Sequence, residues 1–595
     1  MSHYRSNVRD IEFNLFELLR VQEHMGTGPF SQMDEASART LLREANRTAV
    51  DVFAESFSEG DSTPLVLEDG EVHLPAGTKR SIDAYFDGEW HRLGLPERLG
   101  GMGIPPSLVW AVSTLFLGAN PAALCYTSAP TWAALLDPVV TEEQRTRFLV
   151  PMVERRWGGT MVLTEAEAGS DVGAGRTKAV EAGDGTWHIS GAKRFITSGE
   201  FDWPENIVHM VLARPEGAVP GTRGLSMFFV PKFWVEEDGS LGARNGVVAT
   251  KLEDKMGVRG SATCELAFGE HTPARGVLVG EVHEGMRQMF RIMDYARTFF
   301  GAKAFETLSS AYLHALEYAK ERVQGPDLAK ALDPTAPSVP IIRHPDVRRM
   351  LLDQKAHAEG LRAMYLYSAA LEDRMHLEPE NEDLAKRRDL LVPLIKGYGP
   401  EKSYELLAHS MQVFGGSGYM GDYPIEQYLR DLKIDTIWEG TTGIQALDLV
   451  FRKIAKDQAV TIGRLFEDIR ITAKGNGLLE DGRLRLGQAL EDVEGMLGTM
   501  VGFLGESVYL IGLNATPFMS ALAELVIGWL LLRQAEVAVE AMELPTTSET
   551  DRAFYEGKVA ANDWYNRTVL PRLSASRRVL TNTTLAPMTM SEDAF

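Results

Sequence analysis

Gln412 to Gln445 have the sequence QVFGGSGYMGDYPIEQYLRDLKIDTIWEGTTGIQ. The spacing G-x-G-x-x-G, which is typical of dinucleotide-binding turns, is present at Gly416, Gly418 and Gly421. Such a turn must follow a β-strand, but the preceding residues, ELLAHSMQVF, have the apolar spacing of a helix. A glycine turn that ends a helix is the better interpretation. The whole chain has no alternating β-α-β pattern, so the sequence argues against a Rossmann sheet.

The same stretch contains a carboxylate between an apolar run and a Gly-Thr-Thr turn. Glu439 follows Ile437 and Trp438, and helical spacing resumes after the turn, so Glu439 should lie on a short loop at a helix entrance. One interpretation is a solvated or helix-capping glutamate. The other is a partly buried general base, because burial raises the pKa of a carboxyl group and makes it a better base near neutral pH.

The chain before this stretch changes character near Met161. The runs MVLTE, TWHISGAKRFITSG, IVHMVLARP, GLSMFFVPKF and ATCELAFG alternate with turn residues, which predicts an antiparallel sheet domain from 161 to 280. In MVLTEAEAGSDVGAGRT, the loop amides and the hydroxyls of Thr164 and Ser170 could bind a cofactor or its phosphates, or the loop is a plain turn. In RFITSG, Phe195 precedes Thr197 at a strand end, and its ring is either core or packs on a planar ring.

Helical spacing dominates on both sides of this sheet. Residues 1–160 should form an N-terminal helical domain with 1–80 as an extension, residues 281–456 a bundle of four long helices, and residues 457–595 an additional helical domain. The predicted fold is therefore α+β and mainly α. Its order is an N-terminal helical domain, a central antiparallel β domain, a C-terminal four-helix bundle and a further C-terminal helical domain.

Composition excludes several classes of protein. The formal net charge of −22 over 595 residues disfavours nucleic-acid binding. Cys125 and Cys264 are too few for a disulfide scaffold and fit no zinc spacing, so no metal site is predicted. Charges interrupt the N-terminus, and the apolar stretch from Phe518 to Leu532 contains Glu524 and is shorter than the roughly 20 residues of a bilayer span. The prediction is a cytoplasmic protein without a transmembrane segment.

Taken together, these segments resemble the acyl-CoA dehydrogenases. MVLTEAEAGSDVG resembles the family strand and loop that contact flavin and substrate, FITSG the second flavin-contact strand, and the stretch from Gln412 to Gln445 the C-terminal signature. The resemblance covers residues 85 to 456, and the three motifs occur in the family order. The overall organisation is similar to that of longer bacterial members with an additional C-terminal helical domain.

The resemblance implies a role for particular residues. Glu439 matches the catalytic base, and Ala296 stands where other members place theirs, so Glu439 is the sole candidate. FAD would be bound by Leu163, Thr164, Gly169, Ser170, Phe195, Thr197, Arg322, Gln412, Gly415, Gly416 and Thr441. Of these, Arg322 resembles the residue that pairs with the FAD diphosphate, and Gln412, Gly415 and Gly416 resemble a contact made across a subunit interface. The acyl-CoA would contact Ser170, Asp294, Arg297 and Gly440.

The chain departs from the family pattern at four positions. Phe195 stands where tryptophan is frequent, Trp438 replaces a tyrosine, Gly443 replaces a glutamine, and the loop after Arg322 is one residue short. The implied reaction is nevertheless the FAD-dependent α,β-dehydrogenation of a medium-to-long fatty acyl-CoA to the trans-2-enoyl-CoA in β-oxidation. The implied partners are an electron-transfer flavoprotein and a second copy of the chain in a homodimer.

Three alternatives share the architecture. The first is a dehydrogenase of short or sulfur-containing acyl-CoA, since chain length depends on the depth of a channel. The second is an acyl-CoA oxidase that passes electrons to oxygen. The third is a flavin-bearing protein that binds DNA in alkylation stress, although residues 457–595 contain no strong cluster of Lys and Arg. A nitroalkane-type oxidase would be expected to use aspartate, and Glu439 argues against it.

Overall fold

The computed structural model describes residues 2–475 and 477–595, which fall into two units by their contacts. Unit 1 contains residues 2–4, Phe30–Pro105 and Leu115–Ala296. Unit 2 contains Arg5–Pro29, Pro106–Thr114 and Arg297–Phe595. The domain boundaries predicted at residues 160, 280 and 456 stay predictions.

The β-rich runs of unit 1 form an eight-stranded sheet. Its strands are β1 (Gly158–Val162), β2 (Lys178–Glu181), β3 (Trp187–Thr197), β4 (Ile207–Pro215), β5 (Ser226–Pro231), β6 (Val247–Leu252), β7 (Thr263–Phe268) and β8 (Ala274–Val279). The main path is β6-β7-β3-β8-β5-β4-β1, and β2 pairs with both β3 and β4. Two short hairpins lie outside it, Val66–Glu68 with Glu71–His73 and Phe233–Val235 with Leu241–Arg244.

The predicted antiparallel sheet is confirmed for most pairings, and two are parallel. Strand β4 runs parallel to β1, with Gly158 opposite Ile207, and parallel to β2. Nearly every residue of β4 is buried, and apart from His209 and Arg214 its sequence IVHMVLARP is apolar, which is typical of a strand covered on both faces. Ile207, Val211 and Phe228 belong to the core of this sheet. This core fixes the ends of β1 and β3, which carry candidate site residues.

Helices of unit 1 begin and end where the sequence provides caps and apolar stripes. In Glu35–Asp51 the side chain of Asp34 accepts a hydrogen bond from Ser37 N–H, which caps the helix, and Leu42 and Ala45 belong to its buried stripe. The α-helices wholly in unit 1 are Glu35–Asp51, Phe57–Ser62, Ala76–Asp87, Pro121–Leu124, Ala129–Leu136, Glu142–Gln144 and Val150–Glu154. Pro106–Ala119 and Gly285–Glu321 contribute residues to both units.

The described residues of unit 2 are arranged in helices and their connections, with one hairpin, Val323–Pro326 paired with Ser338–Pro340. Its α-helices are Val8–Glu12, Pro345–Leu377, Glu382–Pro393, Gly399–Phe414, Ile425–Lys433, Thr442–Leu447, Val460–Lys474, Glu480–Phe503, Val508–Glu543, Glu549–Thr568, Leu573–Thr581 and Ala586–Thr589. A π-helical turn, Leu394–Tyr398, lies between Glu382–Pro393 and Gly399–Phe414. Pro393 precedes this turn and lacks the N–H that a regular helix needs there.

The apolar stretch from Phe518 to Leu532 lies in Val508–Glu543, a helix of 36 residues. In the described part of the chain this helix is long and apolar enough to cross a bilayer, so the argument that the segment is too short does not hold. Most of the apolar part of this helix is buried inside the protein, which is also expected of a core helix.

Candidate active site

Glu439 lies on a strained loop between the helical turn Ile434–Thr436 and the helix Thr442–Leu447. Its backbone has φ +55°, a left-handed conformation that is uncommon for a residue other than glycine. Gly440 follows with φ +98°, and a β-carbon there would lie 2.8 Å from the Gln445 Nε2 atom. The loop therefore needs glycine directly after the glutamate, and strain of this kind is found at functional sites.

Side chains from two helices bind the carbonyl group of Glu439. Arg297 donates from Nε to the Glu439 carbonyl oxygen at 3.2 Å, and Gln445 donates from Nε2 at 3.1 Å. The N–H of Glu439 has no hydrogen-bond acceptor within the residues that the structure describes. The carbonyl oxygen of Glu439 is thus hydrogen-bonded within the protein, whereas its backbone N–H is available as a donor.

The environment of Glu439 favours a stronger base. Its side chain is partly buried, and burial raises the pKa of Glu439 above the ordinary value for glutamate. The positive charges of Lys396 and Arg297 act in the opposite direction and limit the rise. The capping interpretation fails, because the helix Thr442–Leu447 begins after Thr441 without a side-chain cap from Glu439.

An aromatic pair stands next to the candidate base. The ring of Trp438 packs on Phe300 with 4.1 Å between the ring centroids, and the ammonium group of Lys303 lies 5.3 Å from the Trp438 ring. Phe300 is one helical turn beyond Arg297. The side chain that precedes the base in the chain is thus held by an aromatic contact and a cation–π contact.

In unit 1, an ion pair anchors the loop after β1. Burial by itself would raise the pKa of Glu165, but Lys193 and the hydrogen bonds from Arg176 N–H and Thr177 lower it to about 2. Lys193 also donates to the Leu163 carbonyl oxygen at 2.8 Å. These bonds fix the backbone from which Thr164, Gly169 and Ser170 project. The neighbourhood of Gly169 is open, because an added β-carbon would meet no atom within 4 Å.

Phe195 presents its ring at the end of β3 although it belongs to a strand. It is 54% exposed and has φ +60°. Its neighbour Thr197 is partly buried and pairs with Thr263 of β7. The structure excludes the core interpretation of Phe195, and an exposed aromatic ring on a rigid strand suits stacking against a planar ring system.

A cavity of about 590 Å³ in unit 2 collects four of the predicted FAD residues. Arg322, Gln412, Gly415 and Gly416 line it, and an added β-carbon at either glycine would meet no atom within 4 Å. Tyr318 and Phe414, with ring centroids 4.4 Å apart, also line it. The sequence resemblance treated Arg322 and Gln412 as separate contacts, and the structure brings them together in one pocket of one chain.

The other predicted residues lie elsewhere. Thr441 precedes the helix Thr442–Leu447 and does not line this cavity. Asp294 is partly buried and lies three residues before Arg297 in the same helix. Arg297 is only 5% exposed; besides its bond to the Glu439 carbonyl oxygen, its guanidinium lies 3.9 Å from the Asp448 Oδ2 atom. The roles of all these residues stay predictions.

The sequence analysis did not identify two buried lysines that lie near the Glu439 loop. Lys303 and Lys396 are fully buried, and both contact Asp435. A signal for them exists in the sequence, since each stands in an otherwise apolar run, FFGAKAF and LLVPLIKGYG. A charge on the apolar face of a helix is seldom buried without a partner, and this rule would have identified both.

Three protein-family models match consecutive parts of the chain. The acyl-CoA dehydrogenase middle domain matches residues 160–270, and the acyl-CoA dehydrogenase C-terminal domain matches residues 283–454. A model described as acetyl-CoA dehydrogenase C-terminal like matches residues 465–591. The additional helical segment thus has a family model of its own.

Full-length relatives are similar to the chain. It is 50% identical to the broad-specificity linear acyl-CoA dehydrogenase FadE5 of Mycobacterium tuberculosis, with 100% of both chains covered. It is 35% identical to the 3-methylmercaptopropionyl-CoA dehydrogenase of Ruegeria pomeroyi, with 98% of both covered. It is 33% identical to a butyryl-CoA dehydrogenase of Syntrophomonas wolfei, covering 100% of this chain and 99% of the relative.

Solved structures share the fold. The chain superposes on Caenorhabditis elegans ACDH-11 in complex with C11-CoA with a TM-score of 0.73, 18% identity and 93% coverage of both chains. The acyl-CoA dehydrogenase of Bacillus anthracis in complex with FAD gives a TM-score of 0.70, 20% identity and the same coverage of 93% for both chains.

Proposed function

The chain belongs to the acyl-CoA dehydrogenase family, and from this membership we propose that it oxidises a linear medium-to-long fatty acyl-CoA with Glu439 as the base. The protein is an FAD-dependent acyl-CoA dehydrogenase. The observation that carries the assignment of Glu439 as the base is the geometry of its loop. It combines a strained backbone, a partly buried carboxyl group with a raised pKa, and an N–H without an acceptor in the described chain.

Glu439 takes the α-proton of the thioester in this proposal. The α-carbon–hydrogen bond breaks, the proton moves to a carboxyl oxygen, and negative charge develops on the thioester oxygen. A backbone N–H held by the loop can donate to that oxygen and stabilise the charge by several kcal/mol in a dry site, roughly 3–4 for a single donor. When bound, FAD would supply the acceptor for the β-hydrogen and its electron pair, and the product would be the trans-2-enoyl-CoA.

The residues present fit FAD. In unit 2, the Arg322 guanidinium suits a diphosphate, and the open space beside Gly415 and Gly416 lets the cofactor approach the backbone. In unit 1, the exposed Phe195 ring suits an isoalloxazine, with Thr197 beside it, and Thr164 and Ser170 supply hydroxyl groups. We assign Leu163, Gly169 and Thr441 to the same cofactor, and Asp294, Gly440 and Ser170 to the acyl-CoA.

The partners follow from the same assignments. If Gln412, Gly415 and Gly416 contact the cofactor of a second subunit, Arg322 must do so too, because it lines the same cavity. We therefore propose a cytoplasmic homodimer in which each chain supplies this cavity to its partner. An electron-transfer flavoprotein is the proposed acceptor of the electrons.

Substrate bleaching tests the reaction and the chain length. Under anaerobic conditions, octanoyl-CoA and palmitoyl-CoA should bleach the flavin band of the purified protein more than butyryl-CoA or 3-methylmercaptopropionyl-CoA does. Preferential bleaching by one of the two short substrates would favour the alternative activity. Peroxide release in air without a dye acceptor would identify an oxidase.

Replacing Arg322 tests the cavity. Arg322→Ala should raise the Kd for FAD roughly 10- to 100-fold, because a charge-assisted contact to a phosphate contributes about 1.5–3 kcal/mol. FAD content after gel filtration and titration of the apoprotein measure the change. Arg343→Ala is the matched control, since Arg343 is an exposed arginine that does not line the cavity. Equal retention of FAD by both variants would remove Arg322 from the site.

A further inference from the structure

A buried lysine bridges the two ends of the loop that carries Glu439. The ammonium group of Lys396 donates to the Asp435 carbonyl oxygen at 2.7 Å and lies 3.5 Å from the Gly440 carbonyl oxygen. Asp435 begins the approach to Glu439 and Gly440 follows it, so one cation contacts the backbone on both sides of the glutamate. Lys396 is 0% exposed.

A second lysine fixes the first of these ends. The ammonium group of Lys303 lies 2.8 and 2.9 Å from the two carboxylate oxygens of Asp435, and it donates to the Asp431 carbonyl oxygen at 2.7 Å. Lys303 and Asp435 are both fully buried. The Asp435 side chain is thus held by Lys303 while its carbonyl group is held by Lys396.

The helix that carries Lys396 is shaped for this contact. Lys396 lies in the π-helical turn Leu394–Tyr398, and this turn begins directly after Pro393. Turns of this type occur frequently at functional sites, but the described residues contain three more, at Phe13–Leu18, Arg145–Leu149 and Asp448–Ala455, so the turn alone assigns no function. Burying an ammonium group costs several kcal/mol, and a methionine of similar length would fill the space without that cost. The charge is therefore the feature that needs an explanation.

The charged groups around Lys396 come from several elements. Asp435 and Glu439 of the loop and Glu401 of Gly399–Phe414 stabilise its positive form, whereas Arg297 opposes it. Burial is the largest influence and lowers the pKa of Lys396 to about 8. The lysine is therefore mainly protonated at neutral pH. Its charge acts directly on the carboxyl group of Glu439.

We infer that Lys396 is a positioning residue for the base: it holds both ends of the Asp435–Gly440 loop, with Lys303 and Asp435 as its anchor. The inference rests on the proposed role of Glu439. It assigns a function to the Lys303–Asp435–Lys396 cluster, which contains no group that touches the reacting atoms.

Lys396→Met in the full-length flavoprotein tests the inference. We expect kcat to fall roughly 10- to 100-fold, since a small displacement of a base has effects of this size, while KM changes less than about 3-fold. The acidic limb of the pH profile of kcat/KM should move to higher pH, because removing a cation makes Glu439 harder to ionise. Infrared difference spectra of the carboxyl band should show the same change without turnover.

Two further variants keep the result interpretable. Lys396→Gln retains an N–H donor without the charge, and it replaces Lys396→Met if that variant does not fold; the acidic limb should again move to higher pH. Lys558→Met removes a fully buried lysine from a different cluster of unit 2. It should lower stability and leave the acidic limb in place. A folded, FAD-loaded Lys396 variant with normal kcat and an unmoved acidic limb would overturn the inference.

The same assay separates this inference from the proposed function. Glu439→Gln is measured alongside. If Glu439→Gln is active, the role of Glu439 is wrong and the inference falls with it. If Glu439→Gln is inactive but the Lys396 variants behave as the unmodified protein, only the positioning role is wrong.

Discussion

Replacing Glu439 with glutamine should reduce turnover by a factor of at least about 10², while acyl-CoA still binds. Glutamine has the same shape and can occupy the same loop, but its amide cannot accept the α-proton. The backbone N–H and the contacts of the Glu439 carbonyl group to Arg297 and Gln445 are unchanged in this variant. Anaerobic stopped-flow reduction of the flavin measures the rate, and the spectral shift on adding acyl-CoA measures binding.

Another partly buried glutamate, Glu524, provides the control for this result. Glu524 also has a pKa raised chiefly by burial, and its carboxyl group accepts a hydrogen bond from the Tyr398 hydroxyl at 3.3 Å. It lies in the middle of Val508–Glu543, away from the strained loop in sequence. Glu524→Gln should keep near-normal turnover. Near-normal turnover of Glu439→Gln would show that a raised pKa is no guide to the base in this chain.

The position of the candidate base was predictable because its signals are local. Apolar residues before Glu439 and the glycine turn after it are adjacent in the chain, and both features survive in the structure. The strand and loop around Thr164 were predictable for the same reason, because the residues that indicate them are adjacent in the chain. The left-handed backbone of Glu439 was not predictable, since Arg297, more than a hundred residues away, helps to hold it.

The pairing of strands in the sheet shows the same limit of prediction from local sequence. The β-rich composition of each run predicts a strand; four of the five runs contain one, whereas MVLTE contains only the last two residues of β1. The parallel pairing of β1 with β4 depends on which strands become neighbours, which no single run specifies. Likewise, the helical spacing of residues 281–456 predicts long helices and does not indicate the π-helical turn that follows Pro393 and contains Lys396.

A buried charge cluster in unit 2 connects the N-terminal segment to distant helices. Arg362 contacts the carboxylates of Asp10 and Glu306 and donates to the Ser309 hydroxyl at 2.8 Å. Lys558 contacts both Asp10 and Glu359. With Lys355, which pairs with Glu359, the cluster contains three cations and three carboxylates. Its charges balance, and nothing in the local sequence around Asp10 indicates this packing.

Arg362→Met should lower the free energy of unfolding by about 3–5 kcal/mol, because it leaves three buried carboxylates against two cations instead of three against three, with Asp10 and Glu306 losing their shared partner. Denaturation in guanidinium, with recovery of signal on dilution, measures the loss. Arg349→Met is the matched control: Arg349 pairs with Asp346 at 2.7 Å on an exposed helix face, where the loss should be at most about 1 kcal/mol. Adding Asp10→Asn to Arg362→Met restores two carboxylates against two cations, so the double variant should be more stable than Arg362→Met alone. A double variant that is less stable than Arg362→Met would show that hydrogen bonding to Asp10, rather than charge balance, stabilises the N-terminal segment.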